Sequence, residues 1–305
     1  MDCVTLSPHL LLPRRFLAAF ALLCLAACQP TPGAPPPEII ATRVVTLAPQ
    51  LTELVFAAGA GDTLVGVSAY SDFPPAARDL PVVSDAFTVD QEQLALLQPD
   101  LVLAWQSGTP INVVEELRAR GYRVATLSTG SLAEIGTAIE RIGALTGHAD
   151  TAHNAASEFA DALHELAARH AKDERISIFF QISERPLYTI NGAHYISEIL
   201  ELCGGRNVFS DLDELAPAVS VEAVIRRDPE VFLASSPASP APFRDWARWP
   251  QLAANRDGNL FVIDPNTISR ASPRLLIGAR RICETLDIAR DNRRRVRAAA
   301  GAADS

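Results

Sequence analysis

The residues of this chain that could do chemistry do not assemble into a catalytic pattern. It has no Gly-x-Ser-x-Gly turn, Walker loop, dinucleotide fingerprint, His-Glu-x-x-His or Cys-x-x-Cys. Four of the six histidines, His148, His153, His164 and His170, are spaced by 5, 11 and 6 residues. That spacing does not bring them to one helix face as i, i+4 metal ligands would need. His194, in a loop after Tyr188, is the better metal candidate, yet a lone loop histidine reads as polar surface, so no metal is expected. What the chain does offer is recognition chemistry. Tyr70, Trp105, Gln106 and Gln181 stand at the carboxyl ends of strand-like runs. Ligands of parallel α/β sheets lie outside those ends, and aromatic walls with a few amides suit a concave small-molecule site.

Positioning these groups needs alternating strands and helices, and the hydrophobic pattern supplies them. Strands are predicted over 43–47, 64–68, 100–104 and 123–127, with a helix over 49–58 that stops at Gly59. Another helix, opened by Thr109 and Pro110, ends near Gly121. Ser131-Leu132-Ala133-Glu134 has the spacing of a capping box and starts a helix that Gly147 ends. From 150 to 172 there is no Gly or Pro, and Ala155, Phe159, Ala162, Leu163 and Leu166 form one apolar stripe. That is a rod of about 35 Å at 1.5 Å per residue. Strands over 175–181, 230–234 and 260–263 follow, with a helix over 195–202. A last helix is predicted with Ser272 as its cap and Pro273 at its first position.

An internal echo crosses the rod. Residues 92–104 read EQLALLQPDLVLA and residues 222–234 read EAVIRRDPEVFLA. Both are Glu-x-apolar, four residues, then Pro-acid-apolar-x-Leu-Ala, which is a short helix, a proline-marked turn and a buried parallel strand. The echo predicts two similar α/β lobes with mainly parallel sheets, joined by one long helix.

At 305 residues, 48% hydrophobic and 21% charged, the chain has room for two globular domains. A net charge of −9 argues against nucleic-acid binding. Arg14 and Arg15 precede the apolar run FLAAFALLCLAA. Twelve helical residues reach only about 18 Å, too short for a hydrocarbon core of about 30 Å, so the run reads as a signal peptide. It ends in Leu25-Ala26-Ala27-Cys28, which looks like a bacterial lipobox with Cys28 as the lipidated residue, and a proline-rich spacer follows. The expected location is the periplasm, with a membrane anchor through lipid alone. Removing Cys3 and Cys24 with the signal and acylating Cys28 leaves Cys203 and Cys283, either bridged or as two buried thiols. The expected divisions are a signal over 1–27, a tether over 28–42, a lobe over 43–147, the connecting helix over 148–173, a second lobe over 174–290 and a tail over 291–305.

Five segments carry a resemblance to a known family: RVVTLAPQLTEL (43–54), VGVSAYSDFP (65–74), QPDLVLAW (98–105), LELCGGRNVF (200–209) and RASPRLL (270–276). Together they resemble the cobalamin-binding members of the iron-siderophore, haem and cobalamin group of class III solute-binding proteins, which serve ABC importers. The resemblance implies that a cobalamin-type corrinoid, as transported ligand and not as cofactor, is held between two lobes with little hinge motion. It implies a Cys203–Cys283 bridge, and ligand contacts from Tyr70 and from Asn266, Thr267, Ile268, Ser269 and Arg270. Glu92 and Glu222 fall at an acidic pair that docks onto the permease. Gln181, Tyr188, Trp105 and Gln106 complete the expected ligand set. The chain departs from the pattern where Asn266-Thr267-Ile268 replaces an aspartate and aromatics, where Ala216 replaces a tryptophan, and near Ala86, where Phe87 is the stand-in for another. The alternatives are a haem or ferric-siderophore receptor, for which Arg270 and Arg274 are available, and an extracytoplasmic enzyme, which would need a nucleophile with a base in reach.

Overall fold

The apolar runs that alternate with helical segments form two parallel sheets, because parallel neighbours need a crossover connection, here most often a helix. The computed structural model describes residues 39–235 and 241–303; Cys28 and the signal segment lie outside them. The first lobe contains β1 (Val44–Thr46), α1 (Pro49–Ala57), β2 (Leu64–Ser68), β3 (Val82–Ser84), α2 (Gln91–Leu97), β4 (Leu101–Trp105), α3 (Ile111–Ala119) and β5 (Val124–Leu127). Its strands pair in parallel in the order β3-β2-β1-β4-β5. Gly59, at φ 79°, ends the turn after α1 in the left-handed region open to glycine.

Next come α4 (Leu132–Thr146), with both halves of the Ser131–Glu134 capping box formed, and α5 (Ala149–His170). At 22 residues α5 is a rod of about 33 Å. It buries Ala152, Ala156, Phe159, Leu163 and Leu166. The expected stripe is thus rotated slightly, since Ala155 and Ala162 are only half-buried.

The second lobe holds β6 (Ile176–Gln181), the hairpin β7 (Ser183–Glu184) and β8 (Leu187–Tyr188), α6 (Tyr195–Leu202), β9 (Gly205–Asn207), α7 (Val221–Arg227), β10 (Val231–Ala234), α8 (Ala253–Arg256), β11 (Leu260–Val262), α9 (Pro265–Ile268) and α10 (Leu275–Ala303). Its parallel order is β11-β10-β6-β9. No expected strand corresponds to β3, β9 or the hairpin; each is only two or three residues long, below what periodicity can register.

Two features of α10 differ from expectation. It starts at Leu275, and Ser272 does not cap it, because the hydroxyl donates instead to the buried carboxylate of Glu53 at 2.5 Å. It also runs on through the expected tail to Ala303. Arg290 and Arg293 face inward there: Arg290 donates to the Cys203 carbonyl (2.6 Å), and Arg293 to Glu174 (2.6 Å) and Glu230 (2.9 Å). The Cys203–Cys283 disulfide, with Cα atoms 4.8 Å apart, ties α6 to the same helix.

One apolar core runs through both lobes. Val44, Leu51 and Leu103 of the first, Ile139 and Phe159 of α4 and α5, and Ile178, Leu233 and Leu286 of the second belong to it. Separating the lobes would expose part of this surface, at a cost of about 25 cal/mol per Å2. Among the described residues no helix is long and apolar enough to cross a membrane.

Candidate functional site

The loop after β2 carries Tyr70, Ser71, Asp72 and Phe73, and the segment after β11 carries 264–274. These loops leave the carboxyl ends of their sheets and touch each other, so the two sheets face with the edges where α/β ligands sit. The touching groups are charged. Glu53, on the buried face of α1, has a side chain only 3% exposed. Its carboxylate accepts from Arg274 Nη2 (2.5 Å), Ser272 Oγ (2.5 Å) and Arg270 Nη1 (3.3 Å). Arg270 Nη1 also donates to Asp72, and the Arg274 guanidinium lies 4.6 Å over the Phe73 ring. The Arg270 hydrogen bond holds the Asp72 carboxyl below its ordinary range against a smaller opposing effect of burial. For Arg270 the largest influence is burial, which works against the charged form, but the two carboxylates outweigh it and its pKa rises. Beneath them lies a buried hydroxyl chain, Thr46 to Thr52 at 2.7 Å and Thr52 to Ser71 at 2.9 Å.

Tyr70 stands beside this cluster with its side chain outward. The residue is 83% exposed and its φ is 67°, a left-handed conformation that a bulky residue adopts at a cost of roughly 1–3 kcal/mol. Strain of that kind on an exposed ring points to use. Phe87 is 78% exposed on a turn that Asp85 pins through the Phe87 and Thr88 amides, both at 2.8 Å. Trp105 ends β4 half-buried; a Cβ at Gly108 would come within 1.9 Å of its ring, so only glycine lets the loop pass. The Trp105 indole N–H is buried and has no hydrogen-bond partner among the described residues. Gln106 is exposed beside it, and Tyr188 is exposed on the β8 hairpin, bridged to Ala218.

Two expected ligand residues are buried away from the surface where the lobes meet. Gln181 is fully buried: its Nε2 donates to the Pro242 carbonyl (2.8 Å) and its Oε1 accepts from Trp246 Nε1 (2.8 Å). Its amide is spent holding the aromatic cluster of Phe179, Phe232 and Trp246 to the sheet. Ile268 is also fully buried, because the single turn of α9 points it into the shared core. From that segment Asn266 and Ser269 are exposed, Thr267 is half-buried, and Arg270 faces the other lobe. Glu53, Asp72, Phe73 and Ser272 were not among the expected site residues. The available signal was Glu53 itself, a single acid on an otherwise buried helix face.

His194 serves a structural role. Its Nδ1 accepts the Ile196 amide (3.1 Å) and caps α6, and burial pulls its pKa down to about 4. His170, Asp173 and Asp287 place ligand atoms within 4.8 Å of one another. Arg290 Nη1 lies 3.3 Å from the Asp173 carboxylate and 2.8 Å from that of Asp287, so both acids already pair with a guanidinium of the chain. Glu92 and Glu222 are exposed in the first turns of α2 and α7, whose caps are Asp90 and Ser220.

Two α/β lobes on a single rod, with the carboxyl edges of their sheets turned toward each other, are the architecture of a solute-binding protein. The family described as periplasmic binding protein matches residues 44–267, and the chain belongs to that family, which places it in the periplasm. It is 35% identical over 250 residues to the vitamin B12-binding protein of Vibrio cholerae, covering 82% of this chain and 90% of the relative. The crystal structure of the periplasmic vitamin B12 binding protein BtuF of Vibrio cholerae superposes with a TM-score of 0.75 at 35% identity, covering 82% of this chain and 98% of the other. A periplasmic haem-binding protein from Pseudomonas aeruginosa is similar at a TM-score of 0.69 and 25% identity, covering 80% and 92%. These proteins are named for what they bind, not for a reaction.

Proposed function

We propose that this protein captures a cobalamin-type corrinoid between its lobes and delivers it to the permease of an ABC importer. The observation that carries the reading is Tyr70, an exposed ring held in a strained conformation where the two lobes meet. An aromatic face there is exposed hydrophobic area that a ligand would cover, and a broad, flat macrocycle matches it in kind. Phe87, Trp105, Gln106, Tyr188, Asn266, Thr267 and Ser269 are the further contacts proposed, with Arg270 positioning the segment that carries the last three. The B12-binding relatives support the same ligand class. Glu92 and Glu222 are proposed to meet cationic side chains of the permease, and Cys28 to carry the lipid anchor; fatty-acid labelling lost in Cys28→Ala checks the anchor.

Calorimetric titration of the mature protein with cyanocobalamin, cobinamide, haem and ferric siderophores tests the ligand. Corrinoid binding is expected, with Tyr70→Ala and Trp105→Ala each weakening it by about 1–3 kcal/mol. The haem-binding neighbour favours a second reading, a haem receptor. Saturation by haem with no heat from either corrinoid would replace the first reading with the second.

A further inference from the structure

Arg270 and Arg274 would be the natural partners for an acidic ligand, since a free guanidinium binds a carboxylate through two parallel N–H bonds. The folded chain does not leave them free. Arg270 Nη1 is shared between Glu53 and Asp72, and Arg274 Nη2 lies 2.5 Å from Glu53. Two guanidinium groups and two carboxylates therefore meet beside Tyr70 with no net charge. Glu53 is inaccessible, while the side chain of Asp72 is 48% exposed on the Tyr70 loop. Asp72 is the member of the cluster that a ligand acid would have to displace. An incoming carboxylate finds the arginines occupied and one carboxylate already at the surface.

We infer that Glu53 and Asp72 set the charge selectivity of the cleft, neutralising Arg270 and Arg274 so that an uncharged macrocycle rim, amide or ester, is taken in preference to a carboxylate. The inference deepens the proposed function, and it rests on the ligand lying between the lobes. It assigns Asp72 as a specificity-determining residue and Glu53 as the positioning residue that holds the arginines away from the ligand.

Two pairs of nearly isosteric probes separate charge from shape: cyanocobalamin with a derivative in which one side-chain amide is hydrolysed to the acid, and haem dimethyl ester with haem. Each pair is titrated against the wild type, Asp72→Asn and Glu53→Gln, with thermal unfolding to confirm that the variants fold. The wild type is expected to bind the uncharged member of a pair more tightly. Asp72→Asn leaves one arginine charge uncompensated and should narrow that preference by about tenfold, as one unit charge at short range in a partly screened site would. Should either variant fail to fold, the wild-type preference measured against ionic strength serves instead, because a charge penalty shrinks as salt screens it. A preference that is unchanged in a folded Asp72→Asn, or that salt does not alter, overturns the inference. If the corrinoids do not bind but the haem pair behaves as described, the corrinoid reading falls and the charge selectivity stands. Binding of neither pair overturns both.

Discussion

In the first lobe Asp90 caps α2 through the Glu92 and Gln93 amides, at 3.1 and 2.9 Å; in the second, Ser220 caps α7 through the Ala223 amide at 3.1 Å. Both helices are seven residues long and end on a left-handed non-glycine residue, Gln98 at φ 46° and Asp228 at φ 39°. A proline follows, then an acid that braces the neighbouring strand. Asp100 accepts the Thr42 and Arg43 amides at 2.9 and 3.0 Å, and Glu230 accepts the Ser177 amide at 2.9 Å. The plans then diverge. Asp100 is served mainly by backbone amides, while the other oxygen of Glu230 accepts from Arg293 at 2.9 Å, a residue of α10 buried at the far end of the chain. The same local code is self-sufficient in one lobe and depends on the terminal helix in the other.

The largest expected effect tests that dependence. The disulfide closes a separation of 80 residues and anchors α10 to α6. In the chain-entropy account, Cys203→Ser with Cys283→Ser costs about 4.5 kcal/mol. Hydrogen exchange should quicken in the second lobe first. Uniform quickening in both lobes would show that they do not differ in this way.

A smaller effect separates the two bracing acids. Glu230→Gln weakens a charge-assisted pair with a buried arginine and should cost about 2 kcal/mol, whereas Asp100→Asn should cost about 1 kcal/mol. Denaturant unfolding of the two variants measures both, and equal losses would erase the contrast. Burial raises each carboxyl, but the Ser177 amide and Arg293 outweigh it at Glu230, and the Thr42 and Arg43 amides outweigh it at Asp100, so both pKa values lie below the unfolded ones. Each stabilisation is therefore complete above the ordinary carboxylate range and is lost as pH falls through the folded value. In acid titrations of the variants, that part of the stability loss should be missing.

The smallest effect on stability comes from the exposed acids at the two helix starts. Glu92→Ala with Glu222→Ala should leave the denaturant unfolding midpoint close to that of the wild type, since exposed acids in a first helical turn gain little from the helix dipole. Transport by reconstituted permease vesicles should nonetheless fall sharply. Wild-type transport at physiological salt would leave the pair as helix-start acids alone.

Much of the scaffold was legible because its signals are local. β2 matches its predicted range at Leu64–Ser68, the Ser131 capping box forms, and the rod is found at Ala149–His170. The sheet order was not legible: β3 and β9 are short edge strands whose place is set by their neighbours. The site divides along the same line. Tyr70, Trp105 and Gln106 stand at strand ends as the pattern implied, and the disulfide forms between the cysteines that the family resemblance paired.

What the sequence by itself determined, then, is what acts within a few residues: strand and helix periods, caps, turns and the echoed unit. Tertiary structure alone decided which polar groups face inward. It turned Gln181 toward Trp246 and sent Ile268 into the core. It drew Ser272 from its expected cap to Glu53, a partner 219 positions away. A buried carboxylate must find donors wherever the fold brings them, because leaving it unpaired costs several kcal/mol, and no pattern in neighbouring residues records where those donors are.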